Sequence, residues 1–301
     1  MKIKPTTSAS ILLIVVFSLI AAWQLIPAAR DALNGSTYLS VIVIQLLILA
    51  LPSVFYCTFR GKEFRSGLRI RFFPLSAIIL IVSASVLMIS GGGLIGAGMS
   101  ALFPEAFSAS SGAAASGASD SFYYVIAFAV VPAITEEVLF RGIVLTEFTS
   151  KGVFCAVFVS SLAFAMSHFS FVRFPIYLFS GLVLAAVTFA ARSLIAAVIV
   201  HLINNVFVVF FEDYVIYLTR RQNVSSVLIL FILAVAFFIG AAVTAFEASS
   251  LYKSYGKANR DSSYIPDKKS RGSLLRAFSE SVFSPAFLIA VVIFVVVSYI
   301  V

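Results

Sequence analysis

Charge is scarce in this chain. Only 11% of its 301 residues are Asp, Glu, Lys or Arg, against about 25% in a typical soluble domain. There are two histidines, two cysteines and one tryptophan. Few charges, 61% hydrophobic residues and a mean hydropathy of +1.08 exclude a disordered chain and a soluble globular enzyme. The cysteines exclude a secreted disulfide scaffold. Cys57 and Cys155 each lie in an apolar run and read as packing residues. What remains is an all-α polytopic membrane protein, a transmembrane helical bundle forming a single integral-membrane domain over 1–301.

Crossing the hydrocarbon core takes about 20 apolar residues as a helix. The apolar runs predict nine spans, at 9–29, 37–59, 74–95, 121–147, 152–171, 174–191, 193–211, 225–246 and 284–301. The first is expected to be an uncleaved anchor, because Pro27-Ala28-Ala29 makes a poor cleavage site. Between spans, 91–120 is rich in Gly, Ala and Ser and reads as an outside loop. Its Gly91, Gly93 and Gly96 have GxGxxG spacing, but no strand–turn–helix context surrounds them, so no nucleotide site is expected.

The formal net charge of +8 would suggest nucleic acid in a soluble protein. Here its placement reports orientation, and no nucleic-acid partner is expected. With the N-terminus inside, 16 of the 21 Lys and Arg residues fall on the inner side and 4 on the outer side, with Arg141 within a span. Nine spans then put the N-terminus and a basic 247–283 loop in the cytoplasm, and the C-terminus outside.

Ionisable groups inside a bilayer are expensive and mark functional sites by default. The fourth span carries Glu136, Glu137 and Arg141, with Glu147 near its inner end. The fifth carries His168; the seventh carries His201, Asn204 and Asn205. All five aspartates fall in predicted loops. Glu137 and Arg141 are four residues apart with the acid N-terminal, so they can pair along one helix face. Glu136 points about 100° away and is free to face another helix. His201 and Asn205 share a face by the same spacing. One buried histidine or one such ion pair can serve packing alone; the whole set in three spans points to a shared polar site. Polar clusters also serve transport, so the set alone leaves a transporter, or a non-catalytic membrane scaffold, beside an enzyme.

Three stretches add more. Glu136-Glu137-Val138-Leu139-Phe140-Arg141-Gly142 fits an EExxxR motif, Phe164-Ala165-Met166-Ser167-His168 fits FxxxH, and His201-Leu202-Ile203-Asn204-Asn205 fits HxxxN. In this order, over residues 121–210, the chain resembles the CAAX protease and bacteriocin-processing (CPBP) family of intramembrane endopeptidases, which includes the type II CAAX prenyl proteases. The resemblance implies that 121–210 is the catalytic core. It implies a hydrolase acting on membrane-associated or lipid-modified peptides or proteins, in the plasma membrane of a prokaryote. By the same resemblance Glu136 and His168 activate a water, His201 and Asn205 stabilise the oxyanion, and Glu137 with Arg141 braces Glu136. The family has been described both as metal-independent and as a metalloprotease family. A metal-free water is the expectation; if zinc is used, Glu136, His168 and His201 are the ligands. No HExxH, no intramembrane aspartyl dyad and no GxSxG is present to support another protease class.

Overall fold

The structure, a computed structural model, describes residues 4–26, 37–110, 121–221, 225–257 and 271–300. Among these residues every regular element is helical. That follows from the composition: in lipid each backbone N–H and C=O must be satisfied within its own segment, and a helix does this. The order is α1 Pro5–Leu25, α2 37–66, α3 Ile78–Leu102, α4 Pro104–Ser110, α5 121–151, α6 Val153–Met166, α7 Phe174–Ala191, α8 Leu194–Arg221, α9 Ser226–Lys257, α10 Arg271–Val282 and α11 Pro285–Ile300.

Six helices are long and apolar enough to cross a membrane, or seven if the bent pair α10–α11, angled by 59°, counts as one span. The expected number of nine is therefore not reached by length and apolarity. Two of the expected spans are short. Val153–Met166 has 14 residues, about 21 Å at about 1.5 Å per residue, against a hydrocarbon core of about 30 Å. Leu194–Phe210 is also short as an apolar stretch, within a helix that continues to Arg221. These are the two segments leading to His168 and carrying His201.

Two predicted loops also differ. The Gly- and Ser-rich 91–120 stretch is helical through Leu102 and again over Pro104–Ser110; 111–120 lies outside the described residues. Gly91 serves packing: a methyl there would lie 2.4 Å from the Phe179 ring. The basic 247–283 stretch is helical up to Lys257 and from Arg271, with 258–270 outside the described residues.

Helices α2 and α5 are not uniform. Each widens into a π-turn, at Gln45–Ala50 and Ile126–Val130, two residues before a proline, Pro52 and Pro132. A proline has no N–H to give to the preceding turn, and a wider turn accommodates the break. A third π-turn, Val138–Val144, contains Arg141.

Two apolar clusters form the interior. One gathers α1, α2, α5, α6 and α11 around Phe17, Phe140, Phe148 and Phe287; the other gathers α3, α7, α8 and α9 around Leu80, Met88, Leu184 and Val200. Helix α7 contributes to both, through Ala185 and Phe189 on one side and Leu184 and Val187 on the other. It approaches α6 closely at Gly181, where a methyl group would lie 2.9 Å from the Ser161 Cα. Outward-facing Phe231, Phe238 and Phe246 on α9 are exposed, as suits a lipid-facing helix.

Gly181→Ala is expected to push α6 and α7 apart, at a cost of about 1–3 kcal/mol. Thermal unfolding in detergent would read this as a lowered midpoint. An unchanged midpoint would mean that the close approach does not constrain the bundle.

Candidate active site

Helix α5 supplies three ionisable groups to the seam between the two clusters. Glu137 and Arg141 are completely buried, and Arg141 Nη1 donates to Glu137 Oε1 at 2.7 Å. Arg141 Nη2 donates to the Gly181 carbonyl on α7 at 3.2 Å, and its guanidinium lies 4.4 Å from the Phe164 ring centroid on α6. Helix α8 places His201 on the same carboxylate, with Nδ1 2.9 Å from Glu137 Oε1. Glu137 Oε1 accepts from Arg141, so in the contact with His201 it is again the acceptor and Nδ1 carries the hydrogen. Its Nε2 then faces Glu136 Oε2 at 3.9 Å, too far for a direct hydrogen bond. Glu137 Oε2 and Arg141 Nε are buried without a hydrogen-bond partner among the described residues.

Glu136 is held from another direction. Gln45, at the start of the π-turn in α2, donates from Nε2 to Glu136 Oε1 at 3.0 Å. The Gln45 carbonyl accepts from the Thr135 hydroxyl at 2.5 Å. This fixes the amide, because Glu136 as a carboxylate needs the NH2 end and Thr135 takes the oxygen end. Glu136 thus has one oxygen occupied by Gln45 and the other turned toward His201.

His168 follows α6 in a tight turn, where Phe169 has φ +46°. Its Nδ1 lies 2.9 Å from the Phe164 carbonyl, which can only accept, so this ring also carries its hydrogen on Nδ1. The imidazole stacks on Tyr177 of α7, 3.6 Å between centroids, and meets Phe164 edge-on at 4.9 Å. Phe164 also meets His201 edge-on at 5.8 Å. One aromatic ring therefore separates the two histidines and covers the Arg141 guanidinium.

The structure brings Glu136, Glu137, Arg141 and His201 into one polar cluster, and places His168 beside it across Phe164. Asn205 lies one turn beyond His201 on α8, half-buried, with no hydrogen bond to Glu136, His168 or His201. The Glu137–Arg141 pair reaches His201 directly, while the direct polar partner of Glu136 is Gln45. Glu147 stands apart, held by Tyr56 at 2.7 Å and by Arg60 at 2.7 and 3.0 Å.

Among the described residues no group of three or more His, Cys, Asp or Glu is placed to hold a metal ion. His201 Nδ1 is committed to Glu137 and His168 Nδ1 to a carbonyl, which leaves Nε2 as the one nitrogen of each ring that could ligate. The zinc ligand set considered above is not among the groups this arrangement forms.

Gln45, Thr135, Tyr177 and Gly181 were not anticipated. The signal for Gln45 was available: it is a lone amide in an otherwise apolar span, and such groups seek a partner on another helix.

The family model described as Type II CAAX prenyl endopeptidase Rce1-like matches residues 118–207. The matched stretch runs from the start of α5 past Asn205, and it supports the CAAX protease-like assignment of the chain. No curated protein and no solved structure matches.

Arg141→Ala would leave Glu137 ionisable and buried without its cation, a loss of about 3–5 kcal/mol. The expected outcome is little folded protein by size-exclusion chromatography of detergent extracts. Folded protein at wild-type yield and melting temperature would contradict the structural weight given to this pair.

Proposed function

We propose, from a chain that carries the Rce1-like type II CAAX prenyl endopeptidase segment over 118–207, an intramembrane endopeptidase that uses a metal-free water. The observation that carries this reading is the asymmetry of the two adjacent carboxylates. Glu137 takes both Arg141 and His201 on Oε1, and the whole residue is shut away from any opening. Glu136 keeps one oxygen turned into a gap of 3.9 Å before His201 Nε2. A single water can touch both sides of such a gap.

Peptide hydrolysis needs an activated water, a proton for the leaving amine and a donor for the oxyanion. In this reading the water oxygen bonds the scissile carbonyl carbon as its proton passes to Glu136 Oε2. The C–N bond then breaks as that proton moves to the leaving nitrogen, and the new carboxylic acid ionises. In the neutral ring with its hydrogen on Nδ1, His201 Nε2 is the acceptor that holds the second hydrogen of the water. A buried carboxylate behind an imidazole fixes its tautomer and orientation in this way. His201 thereby moves from oxyanion donor to water-orienting acceptor, and oxyanion donation falls to Asn205. His168 assists as the second imidazole, across Phe164. Glu136, His168, His201 and Asn205 are the catalytic set; Glu137, Arg141 and Gln45 hold it in place.

The substrate class is a membrane-associated or lipid-modified peptide or protein, in keeping with a site buried among spanning helices. The setting proposed is a prokaryotic plasma membrane, as the family resemblance implies, and the placement of positive charge supports a cytoplasmic N-terminus.

Glu136→Gln keeps size and hydrogen bonding but removes the base, so the cleavage rate should fall about 10²–10⁴-fold. The assay is cleavage of a lipid-modified peptide by purified protein in detergent, wild type and variant side by side, with melting temperatures matched. Equal rates would remove Glu136 from the mechanism and return the cluster to a transporter or scaffold.

A further inference from the structure

We infer that the chain carries a second site, separate from the polar cluster, for the phosphate group of an anionic lipid. It is a cavity of about 560 Å³ lined by Arg71, Phe72, Phe73, Pro74, Ala191, Arg192 and Tyr255. Three pieces of chain build it: the link between α2 and α3, the turn between α7 and α8, and the end of α9. Along α8, Leu194 and His201 are about 10 Å apart at about 1.5 Å per residue. The catalytic reading does not use this site, and the inference does not rest on that reading.

The two arginines are preorganised. Arg192 ends α7 in the left-handed conformation, φ +51°, and Arg69 has φ +57° in the facing link. Bulky side chains rarely adopt this backbone, and surrounding bonds must hold it. Leu194 N donates to Arg69 O at 2.9 Å, Arg71 Nε donates to Arg192 O at 2.8 Å, and Ser193 Oγ donates to Arg71 O at 2.5 Å. These bonds clamp the link to the turn and set both guanidinium groups on one cavity. The Arg192 guanidinium is also fixed over the Tyr255 ring, 4.0 Å from its centroid.

The lining chemistry selects an oxyanion. Two guanidinium groups stand on the lining, Arg71 with Nε already given to the Arg192 carbonyl, and none of the seven lining residues is acidic, a charge balance that fits phosphate. The Tyr255 hydroxyl is buried and has no hydrogen-bond partner among the described residues, so it is placed to donate to the same ligand.

The rim selects a lipid over a free anion. Phe72 and Leu75 are 87% and 84% exposed, and Ile70 beside them is 62% exposed. Apolar side chains this bare beside a basic cavity suit acyl chains running past a headgroup. Basic pockets between membrane helices hold anionic headgroups in this manner.

The test is binding of phosphatidylglycerol, phosphatidylcholine and inorganic phosphate to the purified full chain, read by native mass spectrometry and by thermal shift. Phosphatidylglycerol should bind and stabilise the wild type, and phosphatidylcholine should do so at least tenfold more weakly. Arg71→Gln keeps a donor for the Arg192 carbonyl yet removes the charge, and Tyr255→Phe removes only the hydroxyl. Arg71→Gln should weaken phosphatidylglycerol binding about tenfold, the effect of one lost charge-assisted contact. Tyr255→Phe should weaken it several-fold, with the unliganded melting temperature unchanged in both. Wild-type binding by both variants would overturn the site. Inorganic phosphate binding as tightly as the lipid, with the same variant sensitivity, would overturn the lipid assignment and leave a free-anion site.

Discussion

A carboxylate and a guanidinium buried together in an apolar bundle constrain everything around them. Glu137 and Arg141 have no exposure. Removing either leaves an uncompensated charge in a low-dielectric interior, which costs far more than the pair itself contributes. Neighbours on several helices supply the further bonds the pair makes. Arg141 draws on the Gly181 carbonyl of α7 and the Phe164 ring of α6; Glu137 draws on His201 of α8. One ion pair on α5 thus fixes the placement of three other helices. The absence of a side chain at Gly181 does double duty, since it lets α6 approach and lets its carbonyl be reached.

Adjacent residues with opposite fates make the chemistry. Glu136 and Glu137 are neighbours in sequence, yet helical rotation sends them to different partners. Glu137 takes two strong donors on Oε1 in a fully buried position, and in the proposed reading it is structural. Glu136 meets a neutral amide on one oxygen and an open gap on the other. The imidazole between them is oriented by the first carboxylate and presented to the second. A bilayer-embedded protein keeps such groups at considerable expense, and a hydrolytic site is a reason to keep them.

Much of this was legible in the sequence, and the limits have physical causes. The helical class followed from apolar runs, and the Glu137–Arg141 pair from i,i+4 spacing. That His201 would meet these carboxylates was an inference from charge scarcity: few polar groups in hydrocarbon must find each other. Gln45 was hidden because it lies 91 residues from Glu136, and no local periodicity reports a cross-helix hydrogen bond. The count of nine spans is not confirmed among the described residues, and apolar runs do not reveal where a turn will cut them. The run 152–171 looks continuous, yet α6 stops at Met166 and the chain turns through Phe169 at positive φ. The 91–120 stretch looked like a loop because Gly and Ser resemble linker composition. In a bundle the same residues permit helices to touch, as Gly91 does against Phe179.

The central claim is that Glu137 sets the tautomer of His201 and so leaves Nε2 bare toward Glu136. Nitrogen NMR of the protein in nanodiscs reads this directly, because the chain has only two histidines and a His168→Gln sample assigns the other ring. The account predicts that the neutral His201 ring is protonated at Nδ1 and bare at Nε2. A His201 ring protonated at Nε2, with a bare Nδ1 toward Glu137, would contradict it.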